Sequence, residues 1–186
     1  MQKVTRDSLL DYVTYEQRRA ALLPRVLAEK SRRRIHVGDV LTFLFENTGT
    51  IRHQIQEMMR TERIVKESAI QHELDTYNEL LGGPGELGCT LLIEIADPRE
   101  RNEKLRRWLG LERALYVELP DGSKVHATHD PRQVGEDRLS SVHYLKFDVR
   151  GSVPRAVGSD FEDLRAETAL TPQQIEALDE DLKSDR

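Results

Sequence analysis

The sequence predicts an α+β fold: a mainly antiparallel sheet of about five to six strands packed with helices, including a central helix pair, plus a short acidic C-terminal helix. Three patterns lead to this expectation. Residues 50–78 show two consecutive amphipathic helical patterns. Residues 115–128 place a Pro-Asp-Gly turn between two strand-like runs, which is typical of a β-hairpin. Residues 141–149 alternate side chains with the period of a strand.

The N-terminal third predicts helix and then strand. Thr5 or Asp7 can cap a short first turn, and a longer helix is expected from about residue 15 to residue 33. Pro24 marks a kink or a break in that helix. Residues 35–45 then read as a strand pair or one bent strand around a Gly-Asp turn.

The middle of the chain predicts a central strand, a helix, a hairpin and a final strand. A loop rich in glycine at residues 82–85 precedes the apolar run 89–95, which is expected to be a central strand. Asp97 is a suitable cap and Pro98 a suitable first residue for a helix ending near residue 109. In the final strand, the more apolar set of alternating residues should face the core: His143, Leu145, Phe147 and Val149.

Composition changes after residue 150. Residues 151–170 are poor in large apolar side chains, and Thr171 with Pro172 can start a short acidic helix. We therefore expect a single α+β domain over residues 1–150 and a peripheral acidic tail with one short helix over residues 151–186.

Composition also excludes several classes of protein. The 186 residues are 38% hydrophobic and 33% charged, and no apolar stretch approaches the roughly 18 to 20 residues that cross a bilayer. A cytoplasmic protein with no membrane association is expected, since the N-terminus lacks an apolar signal core. Cys89 is the single cysteine, which excludes an internal disulfide and a cysteine-based metal site within one chain. Its apolar surroundings favour a buried thiol.

Charge is distributed unevenly along the chain. Residues 1–60 contain 11 Lys and Arg against 7 Asp and Glu, whereas residues 151–186 contain 4 against 9. Without interleaved aromatic residues, this excess does not predict nucleic-acid binding. The densest basic cluster could contact phosphate or an acidic protein, or could simply complement a helix C-terminus. It contains Lys30, Arg32, Arg33 and Arg34.

The helix pair at residues 50–78 concentrates the polar side chains that could carry chemistry. Apolar residues at helical spacing, such as Ile55 and Met59, should face the core. Glu73 stands beside the apolar stripe of the second helix, so it should be partly buried and need a partner. The polar set comprises His53, Gln54, Gln56, Glu57, His72, Glu73, Tyr77 and Asn78.

These residues leave a catalytic and a structural interpretation open. His53 and Glu57 stand four apart on one helical face and could bind one ion or act in acid–base chemistry with Glu73. The Glu-x-x-His pairs of helical di-iron proteins and the H-E-x-x-H motif are both absent, so no metal ligands are assigned and the cofactor stays unknown. Alternatively, Glu57 and Glu73 belong to a buried polar network with arginines that fixes the helix pair on the sheet.

Other catalytic motifs are absent. Residues 82–88 read GGPGELG, without the lysine of a phosphate-binding loop. Ser141 and His143 would share one face of a strand, but no nucleophile elbow surrounds the serine. Nucleophilic hydrolysis is therefore not expected.

Three motifs stand at a specific spacing: FE ending at Glu46, Q-I-Q-E-M from residue 54, and E-L-x-x-Y-N from residue 73. With the arginine-rich helix that follows LLIEI, and with VHYLKFDV, they resemble the bacterial family catalogued as domain of unknown function 3501, over roughly residues 3–150. By motif match the positions carried over are Glu46, Gln54, Gln56, Glu57, Glu73, Tyr77 and Asn78. His53 and His72 depart from the family pattern, which weakens the metal hypothesis.

The resemblance implies a context rather than an activity. The genes of that family often lie next to genes for rubrerythrin-type proteins and iron–sulfur oxidoreductases. We therefore expect a non-enzymatic partner or accessory protein of a cytoplasmic redox or oxidative-stress system. The alternative is a metal-dependent or acid–base enzyme centred on Glu57 and Glu73, and a homodimer is the other assembly left open.

Overall fold

The computed structural model describes residues 1–130 and 135–184. Its helices are α1 (Tyr12–Ser31), α2 (Thr48–Glu62), α3 (Glu67–Asn78), α4 (Pro98–Arg107) and α5 (Pro172–Lys183). Its strands are β1 (Arg34–Val37), β2 (Leu41–Glu46), β3 (Glu86–Ile93), β4 (Leu115–Glu118), β5 (Lys124–His126), β6 (Thr128–His129), β7 (Val142–Asp148), β8 (Ala156–Ser159) and β9 (Ala166–Ala169). No helix in these two ranges is long and apolar enough to span a membrane.

The strands form two antiparallel sheets. The first has the order β1-β2-β3-β7-β6 and the second has the order β5-β4-β8-β9. The predicted α+β class is confirmed, and so is the hairpin, in which Val117 lies opposite Val125. The sheet differs from the expected layout, because β4 pairs with β8 and starts a second sheet.

The main core lies on one face of the first sheet. Phe43 and Phe45 of β2 are fully buried there, and Phe147 of β7 packs with its ring centroid 6.1 Å from that of Phe45. Leu115 and Val117 of the second sheet belong to the same apolar cluster. As predicted, the alternating set that includes Leu145 and Phe147 is the buried face of β7.

The helix pair forms a second apolar cluster with the N-terminal segment. Ile55 and Met59 of α2 are completely buried, and they pack with Ile70 and Leu74 of α3. The Asn47 side chain caps α2 by accepting a hydrogen bond from the Thr50 amide at 2.9 Å. The predicted helix pair is therefore present, and its apolar stripes face each other as the spacing indicated.

Residues 151–184 pack more closely than the expected peripheral tail. Their strands β8 and β9 complete the second sheet, and Leu178 and Leu182 of α5 lie in the main core. The four-residue strands carry mostly small or polar side chains, so their composition gave little signal of burial. In α1, Pro24 is accommodated within a continuous helix. This helix begins at Tyr12, three residues before the predicted start, and Asp11 caps it.

Candidate functional site

Polar contacts attach α1 to α2. Tyr15 is the one fully buried residue of α1, with 3% of its surface exposed. Its hydroxyl donates a hydrogen bond to Glu57 Oε1 at 2.7 Å and lies 3.0 Å from His53 Nδ1. We call this group the polar seam, which consists of Tyr15, Arg19, His53, Glu57 and Arg60.

Two arginines neutralise the Glu57 carboxylate. Arg19 donates to it through Nε at 2.8 Å and through Nη2 at 3.2 Å, and Arg60 Nη2 lies at 3.3 Å. Burial alone would raise the pKa of Glu57, but the hydrogen bonds from Arg19 and Tyr15 outweigh it and lower this pKa to about 2. Glu57 is therefore an ionised structural anion at neutral pH rather than a proton donor.

His53 is a neutral imidazole, and one of its two ring nitrogens makes no hydrogen bond with the described residues. Burial, and next the charge of Lys30, lower the pKa of His53 below its ordinary value. Because the Tyr15 hydroxyl gives its single proton to Glu57, His53 Nδ1–H must donate to the Tyr15 oxygen. The Nε2 atom then carries the lone pair and can accept a hydrogen bond.

A cavity of about 190 Å³ lies between α1 and α2 beside the seam. Six of its lining residues define its chemistry: Tyr15, Leu22, Arg25, Val26, Arg52 and His53. Two are cationic, two are aliphatic, and two belong to the seam. The cavity thus combines a charged rim with an apolar wall.

Two predicted site amides hold the N-terminal segment instead of a ligand. Gln56 Oε1 accepts from the Leu10 amide at 2.8 Å, and Gln56 Nε2 donates to the Leu10 carbonyl at 2.9 Å. Asn78 makes the same pair of bonds with Val4, at 2.8 and 2.9 Å. Each amide therefore satisfies both polar groups of one backbone residue, as a neighbouring strand would.

Glu46 joins α2 to the first sheet. Its carboxylate accepts from Thr50 Oγ1 at 2.5 Å and from Thr90 Oγ1 at 2.7 Å, and the side chain is buried. Since Glu46 alternates with Phe45 along β2, it lies on the face opposite the main core. It fixes the start of α2 on that face of the sheet.

The remaining predicted residues do not join Glu57. Gln54, Glu73 and Tyr77 are half-buried on α2 and α3. In the described ranges, no hydrogen bond or ion pair links Glu73 to Glu57, whose partners outside α2 lie on α1. Across the same residues, no group of three or more His, Cys, Asp or Glu side chains is placed to hold a metal ion.

The basic cluster is divided between the interior and the surface. Arg33 is 3% exposed and makes a bidentate ion pair with Asp181 of α5, at 2.7 and 2.8 Å. Arg32 pairs with Glu180 of the same helix at 3.3 Å. Arg33 is therefore unavailable as a contact residue, because its charge is used inside the protein.

The comparisons with known proteins place the chain in a family. A family model described as "Protein of unknown function (DUF3501)" matches residues 3–182. The chain belongs to this family. The match extends beyond residue 150 into α5, in agreement with the packing of α5 against the core.

A solved crystal structure has a similar fold. A protein of unknown function from Burkholderia pseudomallei K96243, solved at 1.90 Å, is 32% identical and superposes with a TM-score of 0.89. The alignment covers 97% of this chain and 100% of that chain. A search of curated proteins finds no significant match.

Sequence reasoning missed the α1 half of the seam. Tyr15 and Arg19 stand four apart on one face of the predicted helix, which is the available signal, but nothing in the sequence points them at Glu57. It also missed Glu112, which is 2% exposed. In the described part of the chain, Glu112 Oε2 and the Nδ1 atoms of His129 and His143 are buried without a hydrogen-bond partner.

Proposed function

We propose that this member of the family is a non-enzymatic accessory protein of a cytoplasmic redox system, and that it binds its partner through α1. One observation carries the proposal. Val13, Ala20 and Leu27 repeat every seven residues along α1 and are exposed, with 49% of the Val13 surface and 56% of the Leu27 surface accessible. Leu23 lies half-buried beside them.

An apolar stripe with seven-residue spacing suits contact with another helix. Such a repeat keeps one seam of a helix against its partner over several turns. The partner surface that fits it is an apolar helix face, as in helix-in-groove recognition. We call Val13, Ala20, Leu23 and Leu27 the α1 stripe.

The polar seam supports this use of α1. The seam residues Tyr15 and Arg19 lie on the side of the helix that faces α2, and their hydrogen bonds to Glu57 fix the helix in place. The α1 stripe is thereby presented on a preorganised element, which reduces the entropy cost of binding.

The redox assignment is supported by the family context. The genes of its members often lie next to genes for rubrerythrin-type proteins and iron–sulfur oxidoreductases. The partner that we propose is such a protein, bound through one of its helical surfaces. Burial raises the pKa of the Cys89 thiol far above its ordinary value, so this cysteine is a poor redox group and electron transfer is left to the partner.

The enzymatic alternative, centred on Glu57 and Glu73, is less well supported. Glu57 is committed to two arginines, and Glu73 lies on another helix without a bond to it in the described ranges. Acid–base chemistry would therefore have to proceed from His53, whose Nε2 makes no hydrogen bond with the described residues.

A binding assay with purified proteins tests the proposal. A rubrerythrin-type protein and an iron–sulfur oxidoreductase from the same organism are titrated against this chain at low salt, with Leu27→Lys as the test variant. The wild type should bind one of them, and the substitution should weaken binding by about tenfold or more, because it places a charge in an apolar contact.

Ala21→Lys is the matched control. Ala21 is exposed and adjacent to Ala20, so it lies about 100° around the helix from the α1 stripe. Light scattering on each variant separates partner binding from self-association. The proposed partner would be ruled out if the wild type bound neither protein, or if Leu27→Lys and Ala21→Lys weakened binding equally. A homodimer formed through Leu27 would also rule it out.

A further inference from the structure

The cavity between α1 and α2 has unpaired cations at its rim. Arg25 of α1 and Arg52 of α2 both line it and are exposed, and neither forms an ion pair or side-chain hydrogen bond within the described residues. Most other arginines of the N-terminal third have carboxylate partners, as Arg19 does with Glu57. The two rim guanidinium groups are therefore available for an anion.

The acidic residue that lines the same cavity is already engaged. Glu29 accepts a hydrogen bond from Asn47 Nδ2 at 2.8 Å and lies 3.9 Å from Arg33 Nη1. Its carboxylate lies close to Gly49, in the first turn of α2, where the helix dipole favours negative charge. Glu29 thus offsets charges within the fold and leaves the rim cationic.

A hydrogen-bond acceptor and an apolar wall complete the cavity. His53 Nε2 carries the lone pair, since Nδ1–H is held by Tyr15, and it makes no hydrogen bond with the described residues. Leu22 and Val26 of α1 supply aliphatic surface to the same cavity. A ligand that satisfied all these groups would need an anion, a hydroxyl or amine donor, and a short alkyl chain.

We propose that this cavity binds a small hydroxycarboxylate, with its carboxylate on Arg25 and Arg52, its hydroxyl donating to His53 Nε2, and its alkyl chain against Leu22 and Val26. The planar guanidinium groups match carboxylate geometry, and a neutral imidazole nitrogen accepts a hydroxyl proton. The volume of about 190 Å³ limits the ligand to a small molecule. This inference goes beyond partner docking, because the cavity lies on the face of α1 opposite the α1 stripe.

Titration calorimetry with three probes tests the ligand chemistry. The probes are 2-hydroxy-3-methylbutanoate, 3-methylbutanoate, which lacks the hydroxyl, and 3-methylbutan-2-ol, which keeps the hydroxyl and has a methyl group in place of the carboxylate. The hydroxy acid should bind at least about fivefold more tightly than the acid without the hydroxyl, because only it satisfies His53. The alcohol should bind least, since it leaves both arginines without an anion.

Two substitutions assign the contacts. Arg25→Gln should weaken binding of both acids by about fivefold or more, whereas Arg18→Gln, an exposed arginine of α1 outside the cavity, should leave it unchanged. His53→Asn keeps a donor for Tyr15 and removes Nε2, so it should abolish the preference for the hydroxyl while carboxylate binding persists. In the wild type, the nitrogen resonance of His53 Nε2 should shift with the hydroxy acid alone.

The assignment would be overturned if Arg25→Gln bound the acids as tightly as the wild type, or if Arg18→Gln weakened binding as much as Arg25→Gln. A preference for the hydroxy acid that persisted in His53→Asn would also overturn it. Lack of binding by every probe up to about 20 mM would overturn the proposal itself, because a dissociation constant above that value corresponds to less than about 2.3 kcal/mol of binding free energy. Thermal unfolding of each variant without ligand shows whether the variant is folded. The partner-binding assay with Leu27→Lys tests a different surface, so its outcome is independent of these results.

Discussion

Neutralising Glu57 should lower stability at neutral pH and have little effect in acid. In the folded protein, Arg19 and Tyr15 hold the pKa of Glu57 at about 2, whereas its ordinary value is 4.5. A folded-state pKa below the unfolded value gives stability that is present above pH 4.5 and is lost as the pH falls towards 2. Glu57→Gln removes this contribution at every pH.

The magnitude follows from the difference between the two pKa values. Each tenfold change in proton affinity is worth about 1.4 kcal/mol, so the drop from 4.5 to about 2 sets a ceiling of about 3 kcal/mol. Arg19 and Arg60 are 35% and 31% exposed, which screens the ion pairs. We expect Glu57→Gln to reduce the free energy of unfolding by about 2 kcal/mol at pH 7.

Urea denaturation of wild type and variant between pH 2 and pH 8 measures this difference. The gap between the two proteins should be constant above about pH 5 and should close progressively below it. Glu62→Gln, an exposed position at the end of the same helix, should change stability by less than about 0.5 kcal/mol at any pH. A gap independent of pH, or one below about 0.5 kcal/mol at pH 7, would refute the reasoning.

Three further substitutions test other buried polar groups by the same denaturation assay. Asp181→Asn should cost about 3 kcal/mol or more, because it leaves the buried charge of Arg33 without its partner carboxylate. Asn78→Ala should cost about 2 kcal/mol and raise the exchange rate of the Val4 amide proton, because both backbone groups of Val4 lose their partner. Glu112→Gln should raise the free energy of unfolding by about 1 kcal/mol, since it removes a buried charge with one oxygen unbonded.

The two acidic substitutions each have a control on the surface of the same element or a neighbouring one. Asp179→Asn breaks an exposed pair with Lys183, and Glu100→Gln breaks an exposed pair with Lys104. Both should change stability by less than about 1 kcal/mol. The first prediction is contradicted if Asp181→Asn and Asp179→Asn change the free energy of unfolding equally. The second is contradicted if Asn78→Ala leaves it unchanged, and the third if Glu112→Gln lowers it.

The elements that sequence predicted well are those with a strong local pattern. The helix pair, the hairpin and the buried face of β7 follow from periodicity and turn residues that lie within about a dozen positions. Residues 156–169 lacked such a signal, because strands of four small or polar residues have too few apolar positions to show a period. Their place in a sheet is decided by the pairing of β8 with β4 and of β9 with β8.

The candidate site was predictable only in part, because its partners are distant in sequence. The helix spacing places His53 and Glu57 on one face, but Arg19 reaches Glu57 across 38 residues. Gln56 and Asn78 read as ligands by residue type, yet their amides serve backbone groups of the N-terminal segment. The residue type indicates which hydrogen bonds a side chain can make. Only the fold determines which group becomes its partner.

The Arg33–Asp181 pair also sets an order of events during synthesis. Its two residues are separated by 148 positions, so the ribosome must add that whole length before the buried guanidinium can meet its carboxylate. At about 5 to 20 residues per second, this takes roughly 7 to 30 s. Until then Arg33 can stay hydrated only if its site stays open, so the nascent chain should keep the junction of α1 and β1 loose and complete it when α5 has been made.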